Sequence, residues 1–146
     1  MLNIKIIGVN PDGSLDFKVN GRHSNNGNGS AEKNWSVRWK VKRGIAVKSI
    51  TGIQRKDNSP DIFTQHPPRM QDPRRWKAKV DSTVSDYTDY HYSILWKDID
   101  EGDHTHDPII SIKPSESFFD ITKVVLFAAT AVLALLTLQF LRRNRK

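Results

Sequence analysis

Asp103-His104-Thr105-His106-Asp107 is the run whose residue types come closest to metal chemistry. In an extended segment His104 and His106 point the same way, carboxylates flank them, and His91 adds a third imidazole. Such a set suits Zn or Cu(II) and a metal-dependent redox or hydrolytic reaction. A structural zinc site takes four ligands, and two His in a polar run are equally at home in a solvated loop. The expectation is therefore no metal and no cofactor, with His91, His104 and His106 as the candidates should one exist.

The second chemistry is cationic. Arg38, Lys40, Lys42 and Arg43 follow one another along a single stretch, with Lys48, Arg55 and Lys56 nearby in sequence. Pro68-Arg69-Met70-Gln71-Asp72-Pro73-Arg74-Arg75-Trp76 sets three Arg beside Pro and Trp. Clustered guanidinium and ammonium groups recognise phosphates, anionic headgroups or an acidic partner. The binding candidates are Arg38, Lys40, Lys42, Arg69, Arg74, Arg75 and Trp76. Nucleic acid is not expected, because the Trp residues that interleave with the cations fall on the opposite side of the strand. No nucleophile elbow, phosphate-binding glycine loop or metal-protease helix motif occurs. The chain has no Cys, which removes thiolate nucleophiles, thiolate metal sites and disulfides.

The elements that hold these residues are written in period two. Trp35 to Lys42 alternates, with Trp35, Val37, Trp39 and Val41 on one face and Ser36, Arg38, Lys40 and Lys42 on the other. Tyr90, Tyr92, Ile94 and Trp96 repeat the pattern, and Leu15, Phe17 and Val19 give a third set. Asn3 to Val9, Ile45 to Ile53, Trp76 to Val80 and Ile109 to Ile112 complete seven expected strands. Asn10-Pro11-Asp12-Gly13 is the turn that folds the first onto the second. No stretch of the head has helical periodicity. The expected fold is all-β, an antiparallel β-sandwich of about seven strands. Two loops stand out: the Gly-, Asn- and Ser-rich run from Asn20 to Lys33, expected to be mobile and to bury little, and the Pro-rich run from Gln54 to Arg75.

Asp86-Tyr87-Thr88-Asp89-Tyr90-His91-Tyr92 resembles the run into the late strand that carries a tyrosine corner in immunoglobulin-like sandwiches. Tyr90 through His104 to Ile112 resembles the end of a cupredoxin domain, where the last two strands bracket the copper loop. The resemblance covers about residues 1–113 and implies architecture. It does not carry type 1 copper, which needs a Cys thiolate, and Met70 is not in the expected loop.

The last 27 residues, Asp120 to Lys146, are of a different kind. Val124 to Leu141 holds no charge, and Ile121 to Leu141 is long enough to span a hydrocarbon core of about 30 Å as one helix. The expected organisation is a β-sandwich head over 1–113, a linker over 114–119, a transmembrane helix over 120–141 and a basic tail over 142–146. Residues 1–119 carry 18 Lys and Arg against 15 Asp and Glu, a net of +3, whereas the whole chain is +7. Most of the basic excess therefore belongs to the membrane end. Positive-inside counting would place Arg142, Arg143, Arg145 and Lys146 in the cytoplasm. A span so near the C-terminus with no secretory signal instead favours a tail anchor and a cytosolic head.

These features describe a membrane-tethered, non-enzymatic binding module. Its expected partners are the lipid bilayer, a protein partner or a second copy of itself, and a small anionic ligand. The layout also suits a small membrane effector, such as those of bacterial defence systems, or a structural subunit of a membrane complex.

Overall fold

A computed structural model describes residues 1–115. Alternating sequence becomes alternating burial. In the strand Ser36–Val41, Val37, Trp39 and Val41 are buried while Arg38 and Lys40 are exposed. Eleven strands form, and the described residues contain no helix. In chain order they are β1 (Leu2–Val9), β2 (Leu15–Val19), β3 (Arg22–Ser24), β4 (Gly29–Ala31), β5 (Ser36–Val41), β6 (Val47–Arg55), β7 (Arg69–Asp72), β8 (Arg75–Lys79), β9 (Asp89–Asp98), β10 (Asp103–His106) and β11 (Ile109–Ile112).

The strands build two sheets. One is six-stranded in the order β3-β2-β1-β5-β8-β7. The other is centred on β9, which pairs with β6 and, along its length, with β10 and β11; β4 adds beyond β11. The inner faces meet in a shared core. Trp39 of β5 donates its indole N–H to the Tyr92 hydroxyl of β9 at 3.0 Å, the two rings lying edge-on. Phe17 of β2 packs against His106 of β10. Burial raises the Tyr92 phenol far above its ordinary range, so the hydroxyl keeps its proton.

The sheets are mixed rather than antiparallel. β1 pairs with β5 in parallel, Leu2 opposite Val37 through Ile6 opposite Val41. β4 likewise runs parallel to β11. Parallel neighbours need a crossover of a dozen or more residues, which hydrophobic periodicity does not reveal. The stretch between β2 and β5 supplies it, and this is the Asn20–Lys33 run expected to bury little. Its glycines serve close approach instead. A Cβ on Gly27, which sits at φ +71°, would meet the Phe17 ring at 2.9 Å, and one on Gly29 would meet Leu2 at 2.9 Å. Ala31 is buried in the core. The run is anchored at both ends of β4: Asn28 Oδ1 accepts from the Ile109 N–H at 2.8 Å, and the Ala31 carbonyl accepts from the Lys113 N–H at 2.8 Å.

The Pro-rich run from Gln54 to Arg75 is also structured. Ile62 and Phe63 are buried, Ser59 Oγ accepts from the His91 N–H, and the run ends in β7. The expected transmembrane helix and basic tail lie outside the described residues. Among the described residues no helix is long and apolar enough to cross a membrane.

Candidate functional site: a cationic sheet face

Each strand of the six-stranded sheet turns one side to the core and the other to solvent. Lys and Arg predominate on the solvent side. Register brings the cations side by side. Lys5 lies opposite Lys18 and, across the parallel pairing, opposite Lys40. Lys40 lies opposite Arg75, Arg38 opposite Lys77, and Lys77 opposite Arg69. Two rows result, Lys18-Lys5-Lys40-Arg75 and Arg38-Lys77-Arg69, with neighbouring strands about 4.8 Å apart.

The six strands of this sheet carry nine Lys and Arg against two Asp, a net of +7. The strands of the other sheet carry three Lys and Arg against three Asp, a net of zero. The two also differ in pairing. The outer side of the second sheet is neutralised in place: Lys48 pairs with Glu101, Lys56 with Asp107 at 2.7 Å, and Lys97 with Asp103 at 3.8 Å. On the six-stranded sheet Lys5, Lys18, Arg38, Lys40, Arg69 and Lys77 have no ion-pair partner among the described residues; the two acids there are taken by His23 and Arg75. Five directly opposed like-charge pairs on one face are destabilising, since such pairs cost a few tenths of a kcal/mol or more each. The face is therefore strongly electropositive.

Of the residues expected to bind, Arg38, Lys40, Arg69 and Arg75 stand together on this face, with Lys42 at its edge beyond β5. Arg74 is spent on structure: its guanidinium donates to the carbonyls of Lys42 at 3.3 Å and Val47 at 3.5 Å. Trp76 points inward and is 7% exposed, so it belongs to the core. Lys48, Arg55 and Lys56, close to these residues in sequence, lie on or just after β6 in the other sheet. Lys5, Lys18, Lys77 and Lys79 were not among the expected residues. Their signal was the same alternation, Ile4-Lys5-Ile6 and Trp76-Lys77-Ala78-Lys79-Val80, but only the pairing of β1 with β2 and β5, and of β5 with β8, collects them.

The three His do not converge. His91 is exposed on the outer side of β9. His104 and His106 lie on the opposite side, level with Trp96 and Ile94. His104 stacks on Trp96 with ring centroids 4.2 Å apart and donates from Nε2 to Asp98 at 2.7 Å. His106 Nε2 meets the Asn26 carbonyl at 3.1 Å. No group of three or more His, Cys, Asp or Glu among the described residues is arranged to hold a metal ion. No tyrosine of Asp86–Tyr92 makes a hydroxyl-to-backbone bond among the described contacts: the Tyr90 hydroxyl meets His66 and the Tyr92 hydroxyl meets Trp39.

The Asp98 contacts make a pH prediction. Its carboxylate is held below the ordinary 3.8, first by the His104 hydrogen bond and then by the Gly102 N–H. A depressed carboxylate contributes stability above its unfolded value and loses it as pH falls through the folded one. Asp98→Asn is therefore expected to speed amide exchange at Asp100 and Gly102 at pH 7. That difference from wild type should shrink as pH falls below the ordinary carboxylate value and be lost once Asp98 is protonated in the folded protein.

No family model matches the chain, and no curated protein sequence matches it.

Proposed function

We propose that this protein is a membrane-tethered, non-enzymatic binding module that offers the basic face of its six-stranded sheet to an anionic partner. The finer architecture belongs to the same reading: an immunoglobulin-like or cupredoxin-like sandwich on a single C-terminal span, with the head in the cytosol. The charge contrast between the two sheets carries it, +7 against zero on strands of one small domain. Electrostatic complementarity of this kind sets partner choice and speeds encounter. A hydrophobic segment that confines the head to a membrane would raise the local concentration of whatever the face meets.

The test uses the full chain in neutral phosphatidylcholine nanodiscs, floated with vesicles that are neutral or contain phosphatidylglycerol. Binding to the anionic vesicles alone, falling at least tenfold between 50 and 300 mM salt, is the expected result. Equal binding to both vesicle types, or a response indifferent to salt, would contradict the proposal.

A further inference from the structure

The cations of the six-stranded face are not evenly spread. At the end of β5, Lys5, Lys40, Lys42, Arg43, Arg74 and Arg75 line one open cleft with a single carboxylate, Asp72. The turn between β7 and β8 builds its wall. Asp72 Oδ1 accepts from the Arg74 N–H at 2.8 Å, the Arg74 carbonyl accepts from the Val41 N–H at 3.0 Å, and the Arg74 guanidinium is tied to the Lys42 and Val47 carbonyls. These bonds fix the turn against the end of β5 and so fix the place of Arg75.

Asp72 also decides how Arg75 is presented. Its Oδ2 lies 3.3 Å from Arg75 Nε. That ion pair meets the guanidinium on its Nε side, and neither Nη group has a hydrogen-bond partner among the described residues. A planar fork with its terminal amines free matches two oxygens of a tetrahedral oxyanion. Lys40 is directly opposite Arg75, and Lys5 directly opposite Lys40, so their ammonium groups rise from adjacent strands on the same side. Lys42 and Arg43 close the cleft from the turn after β5 and are exposed.

We propose that this cleft recognises a phosphoryl group carrying two or more negative charges, a phosphomonoester or a pyrophosphate. The inference rests on the reading of the basic face as a binding surface and names the ligand chemistry at one place on it. Six cations, counting Arg74 of the wall, against one carboxylate leave a net of +5 within the cleft. A singly charged diester or carboxylate relieves little of that excess, while a dianion bridging Arg75 and Lys40 relieves more and uses the guanidinium fork. Bases are not read here, since Trp39 and Trp76 turn their rings to the core. The phosphoryl group can come from solution or from a lipid headgroup.

The test again uses the full chain in neutral nanodiscs. One arm titrates pyrophosphate, with sulfate as the control anion, by calorimetry. The other floats the protein with vesicles of phosphatidic acid or of phosphatidylglycerol at equal surface charge. The expected result is preference for the higher-charge phosphoryl species in at least one arm, with Arg75→Lys weakening it at least tenfold and Lys40→Gln acting likewise. Preference for pyrophosphate alone assigns a soluble ligand, and preference for phosphatidic acid a headgroup. Lys48→Gln, on the other sheet and paired with Glu101, should change binding less than threefold. Thermal melts of each variant confirm that the fold is kept. Arg75→Lys binding as wild type does, or sulfate and phosphatidylglycerol binding as well as their partners, would overturn the phosphoryl cleft while leaving the broader face intact. Failure of every anionic probe to bind would remove both.

Discussion

The double variant Lys5→Glu, Lys77→Glu is expected to be more stable than the wild-type protein and nearly unable to bind anions. The reason is register. Lys5 has Lys18 and Lys40 as direct neighbours, and Lys77 has Arg38 and Arg69. Two reversals therefore turn four opposed like-charge pairs into four opposite-charge pairs, leaving only Lys40 opposite Arg75 unchanged. Each cross-strand pair is worth about 0.2–1 kcal/mol in either direction. These side chains are solvated, so the low end applies and the total gain is about 1–2 kcal/mol. Against an anionic surface the same change removes four units of favourable charge. At about 1 kcal/mol per unit near such a surface, binding should fall by 100-fold or more. A gain in stability coupled to a loss of binding is what a surface kept for function produces.

Trp39→Ala is expected to be the most damaging single substitution in the head. Trp39 is 1% exposed at the centre of the six-stranded sheet. It meets Phe63 and Tyr92 edge-on at 5.9 Å each, and it makes a buried hydrogen bond from one sheet to the other. Truncating a buried aromatic of this size costs about 3–5 kcal/mol. It also leaves the buried Tyr92 hydroxyl without its donor partner, a further cost of the same kind. A domain of this length has about 5–15 kcal/mol in total, so a thermal melt should fall by roughly 12–20 °C or lose its cooperativity. Loss of less than about 1 kcal/mol would mean that the two sheets do not share this contact.

The comparison of sequence with structure turns on range. All seven expected strands are present, because alternation is a local property. Val37-Trp39-Val41 and Tyr90-Tyr92-Ile94-Trp96 could face only one way once extended. What sequence alone did not convey was which strands become neighbours. The parallel pairing of β1 with β5 follows from a crossover through the second sheet, and it is this pairing that sets Lys5 beside Lys40. The Gly- and Asn-rich run misled for a related reason. Glycine marks either freedom or close approach, and only the partner reveals which; at Gly27 and Gly29 the partners are Phe17 and Leu2. Trp76 was drawn into the binding set by its neighbours Arg74 and Arg75, although its own parity assigns it to the core.

The cationic face is tested most directly by matched charge reversal on the two sheets. Lys5→Glu with Lys77→Glu on the six-stranded sheet, and Lys48→Glu with Arg55→Glu on the other, change net charge by the same amount. Flotation of the full chain with phosphatidylglycerol vesicles at 50 mM salt should be lost in the first pair and kept within about threefold in the second. Equal loss in both pairs would show that bulk charge, and not this face, meets the anion.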